Sequence, residues 1–170
     1  MIEGLAGFSM EAVARRAGAS KATLYRHWSS VGALLVDAMD ATFQPFPEPD
    51  TGRVETDVAR LLDAFVTVLE TTPFPRLLAA FIDAAERDPA LSTMHAELTR
   101  RRREPMLAVL TKAQECGQLP GHLDPEVTTD LLTSPFFYRR FVAHRPIPPG
   151  MVADVITHVL GPRSWLGPRS

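Results

Sequence analysis

The chain has 170 residues, 45% hydrophobic and 22% charged, enough for one buried core plus a small module and too apolar for disorder. Its one cysteine, Cys116, excludes an internal disulfide and a multi-cysteine metal cluster, and no apolar run reaches the roughly 18 residues that span a bilayer. The net charge is −2, yet residues 9–30 hold Arg15, Arg16, Lys21 and Arg26 against Glu11 alone, so the sum does not exclude nucleic acid as a partner.

The N-terminal MIEGLAGFS has neither a basic nor a long apolar stretch, so no signal peptide is expected and a cytoplasmic location follows by default. Residues 9–17 read as a helix, with Ser9 as N-cap and Gly18 just past its end. Ser20 is the next N-cap, for a short helix to about His27, and Ser30 caps a third that runs to Phe43. Pro45, Pro47 and Pro49 then break the chain. From Val54 to about Thr72, apolar residues at 58, 61, 62, 65, 68 and 69 mark an amphipathic helix. The next helix has Pro75 in its first turn and carries Leu77, Leu78, Phe81 and Ile82. Asp88-Pro89 opens a long segment to Cys116, in which Pro105 predicts a kink or a break into two helices. Asp124-Pro125 opens a helix to about 143, with Pro135 inside it, and residues 149–160 form the last apolar stripe. The tail repeats LGPRS around Trp165, with two Gly-Pro pairs that predict an extended segment. No segment alternates with period two, and the expected fold class is all-α.

Function is concentrated in residues 8–35, FSMEAVARRAGASKATLYRHWSSVGALL. Two short helices separated by Gly18-Ala19 have the spacing of a helix-turn-helix. Val13, Ala14, Ala17, Leu24 and Trp28 fall where the two helices pack, leaving Lys21, Thr23, Tyr25, Arg26 and His27 outward. Such donors hold phosphates and read base edges, and the start of the second helix adds backbone N–H groups.

The run MEAVARRAGASKATLYRHW resembles the signature of the TetR/AcrR-type bacterial transcriptional regulators. The resemblance implies a DNA-binding domain (residues 1–44), a Pro-rich connection (45–53), a helical ligand-binding and dimerisation domain (54–161) and a tail (162–170). Beyond the signature it extends only to helix order and length. It also implies that Ser9, Ser20, Lys21, Ala22, Thr23, Tyr25, Arg26 and His27 meet double-stranded DNA. Lys21 and Ala22 fall at base edges, Thr23 at a base or phosphate, and Tyr25 and His27 at phosphates. Arg26 matches a variable position that pairs with guanine or clamps a phosphate. Packing at a helix end is the other reading of Tyr25 and His27.

Two departures stand out. The family's lysine in the first turn after the recognition helix is replaced here by Val31 and Gly32, which removes a phosphate contact and weakens that helix start. Only Met1 to Gly7 precede Phe8, so the family's first helix is expected to be missing. A misassigned gene start, a shortened chain or a natural loss would each account for that.

The resemblance implies a ligand-responsive repressor that binds a pseudo-palindromic operator as a homodimer through residues 125–143 and 149–160, and that a small-molecule effector releases. Phe65, Leu69, Phe81, Met94, Leu98, Met106 and Phe137 are the candidates to line the effector cavity, with His95 and Tyr138 as polar anchors, against the plainer reading that they are core residues at helical spacing. The alternative is a binding protein of the same fold with weak or no DNA binding for want of the first helix. An enzyme finds no support in a nucleophile–base pair, a Gly-rich phosphate loop or metal-ligand spacing, and neither cofactor nor metal is expected. Arg100–Arg103 reads as a solvated, salt-bridged face with Glu97 and Glu104 within pairing distance, and not as a second nucleic-acid patch. Effector, operator sequence and target genes are not encoded in any motif.

Overall fold

The computed structural model describes residues 9–42 and 48–161. The described residues are helical throughout, with no strand, and divide into two compact units. The first comprises the described residues of Met1–Pro45 with Thr71–Arg102, the second those of Phe46–Glu70 with Arg103–Ser170.

In the first unit, local capping sets the boundaries of three short helices. Ser9 stays extended, and its Oγ accepts a hydrogen bond from the Ala12 N–H at 3.2 Å, which starts α1 (Met10–Ala17). Gly18 ends it in the left-handed region at φ 64°, where its N–H reaches the Ala14 and Arg15 carbonyls. The Oγ of Ser20 accepts from the Thr23 N–H at 3.1 Å and opens α2 (Lys21–His27). Ser30 does the same for the Ala33 N–H, also at 3.1 Å, ahead of α3 (Val31–Thr42). Met10, Ala14, Leu24 and Leu34 form a small buried core, with Val13, Trp28 and Val31 packed on it. The Trp28 indole N–H donates to Asp37 at 2.7 Å and ties the end of α2 to α3. The other face of α3 packs on α5 (Phe74–Ala85), where Leu35, Met39 and Phe81 are buried.

In the second unit, α4 (Val54–Thr71) is anchored at its start by two side chains. Asp57 is 6% exposed and accepts from the Thr51 N–H and hydroxyl. Gln118 accepts from the Val54 N–H at 2.9 Å and donates to the Gly52 carbonyl at 3.1 Å, closing the turn before α4. Asp124, whose carboxylate accepts from the Glu126 N–H at 2.8 Å, caps α7 (Pro125–Phe137). The last helix, α8 (Met151–Leu160), packs on α7. Val58, Leu62, Leu69, Leu110, Leu132 and Phe136 are essentially inaccessible and make the core of this unit.

Two outcomes differ from expectation. Pro105 does not split the long helix, since α6 (Pro89–Glu115) runs unbroken for 27 residues. A proline removes one helical N–H, and burial of Leu98, Met106, Val109 and Leu110 on either side outweighs that loss. Beyond Pro135, α7 gives way to a π-turn over Tyr138–Val142, in which the Ala143 N–H reaches back five residues to the Tyr138 carbonyl at 2.8 Å. Among the described residues no single helix is long and apolar enough to cross a membrane. Phe43 and the tail after Gly161 lie outside the described residues, as does the proposed break at Pro45 and Pro47.

Candidate nucleic-acid interface

α2 presents one buried side and one open side. Leu24 is 6% exposed and anchors the helix in the first unit's core, while Lys21, Ala22, Tyr25, Arg26 and His27 are exposed and Thr23 is half-buried. Tyr25 is 56% exposed, which sets aside the packing alternative for it. His27 is also exposed, although its ring lies 5.6 Å from that of Trp28. Ser9 and Ser20 are accounted for as N-caps, and the Ser20 hydroxyl also meets the Thr23 hydroxyl at 2.9 Å. Lys21, Ala22, Tyr25, Arg26 and His27 are therefore open to solvent on either side of the buried Leu24, with Thr23 half-buried and Ser20 at the helix start.

Electrostatics on this surface are uneven. Lys21, at the first position of α2, is ion-paired with Glu11 of α1. The hydrogen bond and charge of Lys21 hold the Glu11 carboxyl below the usual carboxylate range. Among the described residues Arg16 and Arg26 have no such partner. Glu11 carried no role in the sequence reading beyond its charge, because a contact between residues ten apart depends on how the intervening turn folds.

The arginine run is neutralised. Arg100 pairs with Glu97, Arg101 and Arg102 with Asp40 of α3, and Arg103 with Glu126 and Asp130 of α7. The salt-bridged reading holds, but three of its carboxylates are distant in sequence. Burial pulls Arg102 below the ordinary guanidinium value although Asp40 works against it, and its guanidinium lies 5.0 Å over the Phe74 ring. Burial also works against Arg103, but Asp130 and Glu126 together outweigh it and raise its value.

The nine expected effector residues fall on both units. Phe81, Met94, His95 and Leu98 belong to the first, and Phe65, Leu69, Met106, Phe137 and Tyr138 to the second. Phe81 and His95 meet edge to face at 5.1 Å, and Phe65 lies 5.1 Å from Phe137. His95 Nε2 is buried with no hydrogen-bond partner, and burial, then the charge of Arg102, lowers the imidazole below its ordinary value. The second unit has a groove of about 750 Å³ beside Glu55, Asp63, Glu70, Ile147, Met151 and Ile156. A recess of about 670 Å³ lies beside Ser134, Tyr138, Arg139 and Arg145; of the nine, Tyr138 alone lines either. Among the described residues no three His, Cys, Asp or Glu side chains converge as metal ligands.

Comparison with known proteins adds the family. Residues 2–38 match the family model "Bacterial regulatory proteins, tetR family", and residues 48–159 match "Tetracyclin repressor-like, C-terminal domain". The uncharacterized HTH-type transcriptional regulator YdeS of Bacillus subtilis is 31% identical over 158 residues, spanning 91% of this chain and 78% of its own length. The DNA-binding transcriptional repressor TetR of Mycobacteroides abscessus is 43% identical over 58 residues, 33% of this chain and 30% of that protein. The crystal structure of the TetR family transcription regulator SCO0332 superposes with a TM-score of 0.73 at 36% identity, covering 94% of this chain and 90% of that one. One expectation is corrected. The N-terminal match begins at residue 2, so no missing first helix is evident, and the weak-binding alternative built on it is withdrawn. Counting the residues ahead of Phe8 was a length argument, which the family match replaces; residues 1–8 lie outside the described residues. On these matches over most of its length, the chain belongs to the TetR family of bacterial transcriptional regulators, proteins that act on DNA and not as enzymes.

Proposed function

We propose that this regulator is an effector-responsive repressor that binds a pseudo-palindromic operator as a homodimer, with one α2 in the major groove of each half-site. The observation that carries the reading is the open face of α2, where Lys21, Ala22, Tyr25, Arg26 and His27 are exposed around a buried Leu24. The repressor sign takes support from the Mycobacteroides relative that bears that name. Pairing of two copies is supported by Val127, Leu131, Tyr138 and Val142, which are 47–64% exposed at spacings of four, seven and four along α7 and the π-turn. Large apolar side chains in such a row are covered by a partner. A response to an effector takes support from His95, whose buried, unsatisfied Nε2 sits against Phe81 and gives a ligand donor or acceptor an anchor.

The test is selection of bound sequences from a random duplex pool. An inverted repeat is expected to enrich, and Arg26→Ala to relax one base preference per half-site if Arg26 reads guanine, or to lower affinity uniformly if it holds a phosphate. Enrichment of no sequence, with Arg26→Ala and wild type bound alike, would overturn the reading.

A further inference from the structure

Beyond α7 the backbone brings two arginines, six residues apart in sequence, to one recess. The Ala143 N–H reaches the Tyr138 carbonyl at 2.8 Å, and the Arg145 N–H reaches the Arg139 carbonyl at 2.9 Å. His144, between these two donors, takes φ 48° in the left-handed region, which turns the chain back so that Arg145 returns beside Arg139. The recess, of about 670 Å³, is lined by Ser134, Pro135, Tyr138, Arg139, Arg145 and Met151, all of the second unit. No Asp or Glu lines it, and the sequence from 131 to 153 holds Arg139, Arg140 and Arg145 without one acidic residue. Among the described residues none of these three arginines has a carboxylate partner, whereas each arginine at 100–103 has one. Arg139 donates to the Pro146 carbonyl at 3.3 Å, which positions a guanidinium that carries five donors in all. Arg140 lies instead over the Phe141 ring, 5.8 Å from its centroid, and does not line the recess. The Ser134 hydroxyl gives its proton to the Asp130 carbonyl at 2.6 Å, so the donors left to a ligand are the two guanidiniums and the Tyr138 phenol, a residue 60% exposed.

We propose that this recess binds a small organic anion, with a carboxylate or phosphate head between Arg139 and Arg145 and an apolar body against Pro135 and Met151. Each guanidinium fork matches two oxygens of such a head, and the bonds are charge-assisted. The two cations share one opening with no carboxylate between them, so an anion that enters also relieves their mutual repulsion. Pro135 and Met151 give an apolar body surface to cover, so an organic anion gains more than a bare inorganic one. The site needs neither the DNA-contacting reading of α2 nor His95, which belongs to the first unit.

The test is an NMR titration of the DNA-free full chain at low ionic strength with benzoate, phenyl phosphate, inorganic phosphate and benzamide, an uncharged isostere of benzoate. Benzoate or phenyl phosphate should give saturable shifts at the Arg139 and Arg145 amides with a Kd of about 1 mM. The tighter of the two identifies the head group, and benzamide and inorganic phosphate should bind at least about tenfold more weakly. Arg145→Gln should weaken the aromatic anion about tenfold, while Arg140→Gln, which removes a neighbouring charge outside the recess, should change it less than about twofold. The Arg145 guanidinium holds no carboxylate, so the amide spectrum of Arg145→Gln should otherwise match that of the wild type. Absence of saturation by either aromatic anion at about 20 mM, well above the expected Kd, would overturn the proposal. Equal losses in the two variants would reduce the effect to diffuse attraction and overturn it as well. Benzamide binding as tightly as benzoate would remove the role of the charge, and inorganic phosphate binding as tightly as phenyl phosphate would leave an adventitious ion only.

Discussion

Gly32 is the second residue of α3, where the family resemblance led to an expected lysine and the helix start looked weakened. A Cβ added there would lie 2.3 Å from Leu91 Cδ2 and 3.1 Å from Met94 Sδ, so the glycine permits α6 to approach α3 within the first unit. Leu91 is 9% exposed and cannot simply swing its methyl into water. Overpacking of this kind costs about 1–3 kcal/mol. Against that, alanine is favoured over glycine in a helix by about 0.8–1 kcal/mol, an advantage that helix ends reduce. Gly32→Ala should therefore destabilise the protein by up to about 2 kcal/mol, the packing cost less the helix gain. In a Leu91→Ala background the 2.3 Å contact disappears, the 3.1 Å approach to Met94 Sδ remains, and the same substitution should become neutral to stabilising by up to about 1 kcal/mol. Urea unfolding followed by far-UV circular dichroism gives both values, provided the m-value stays constant. The reasoning fails if Gly32→Ala stabilises the otherwise wild-type chain, or if the coupling between the two positions is below about 0.5 kcal/mol, the scatter of additive pairs.

On the proposed pairing of two copies, Leu131→Glu places a charge in the exposed apolar row of α7 and should lower the sedimenting mass to that of one chain at micromolar concentration without loss of helix content; a mass equal to that of the wild type would remove that row from the proposed interface. His95 gives a pH signature. Its folded value lies below the ordinary 6.5, so below about 6.5 the unfolded chain takes up the proton first. The stability tied to the neutral imidazole is then complete above 6.5 and is lost as pH falls toward the folded value. His95→Leu should flatten the urea midpoint between pH 7.5 and 5.5 relative to wild type, and parallel curves would show that another group sets the slope.

The parts of the molecule that were legible in the sequence are those written in neighbouring residues. Ser9, Ser20, Ser30 and Asp124 announce helix starts because a cap bonds two or three residues ahead, and each makes that bond. The outer face of α2 was legible for the same reason, since Leu24 fixes which side turns inward. What escaped depends on partners distant in sequence. Asp40 answers Arg101 and Arg102 from about 60 residues away, and Gln118 holds the Val54 N–H from 64. No spacing rule reaches that far. Gly32 looked like a defect until the side chains of Leu91 and Met94 were seen to fill the place of its Cβ. The π-turn after Pro135 has no residue signature of its own, and its five-residue bond is visible only in the backbone.

The neutralised arginines have a kinetic consequence. Four consecutive cations at 100–103 would otherwise make the densest positive site on the chain and a decoy for DNA phosphates. Each is matched by a carboxylate, so its field decays over short distances, while residues 9–30 keep their surplus of +3. A duplex arriving by diffusion is drawn to one end of the sequence and repelled by the net −5 of the remainder. Encounters are thereby sorted before any base is read. The run most basic in composition, being electrostatically silent, competes little with residues 9–30 for DNA.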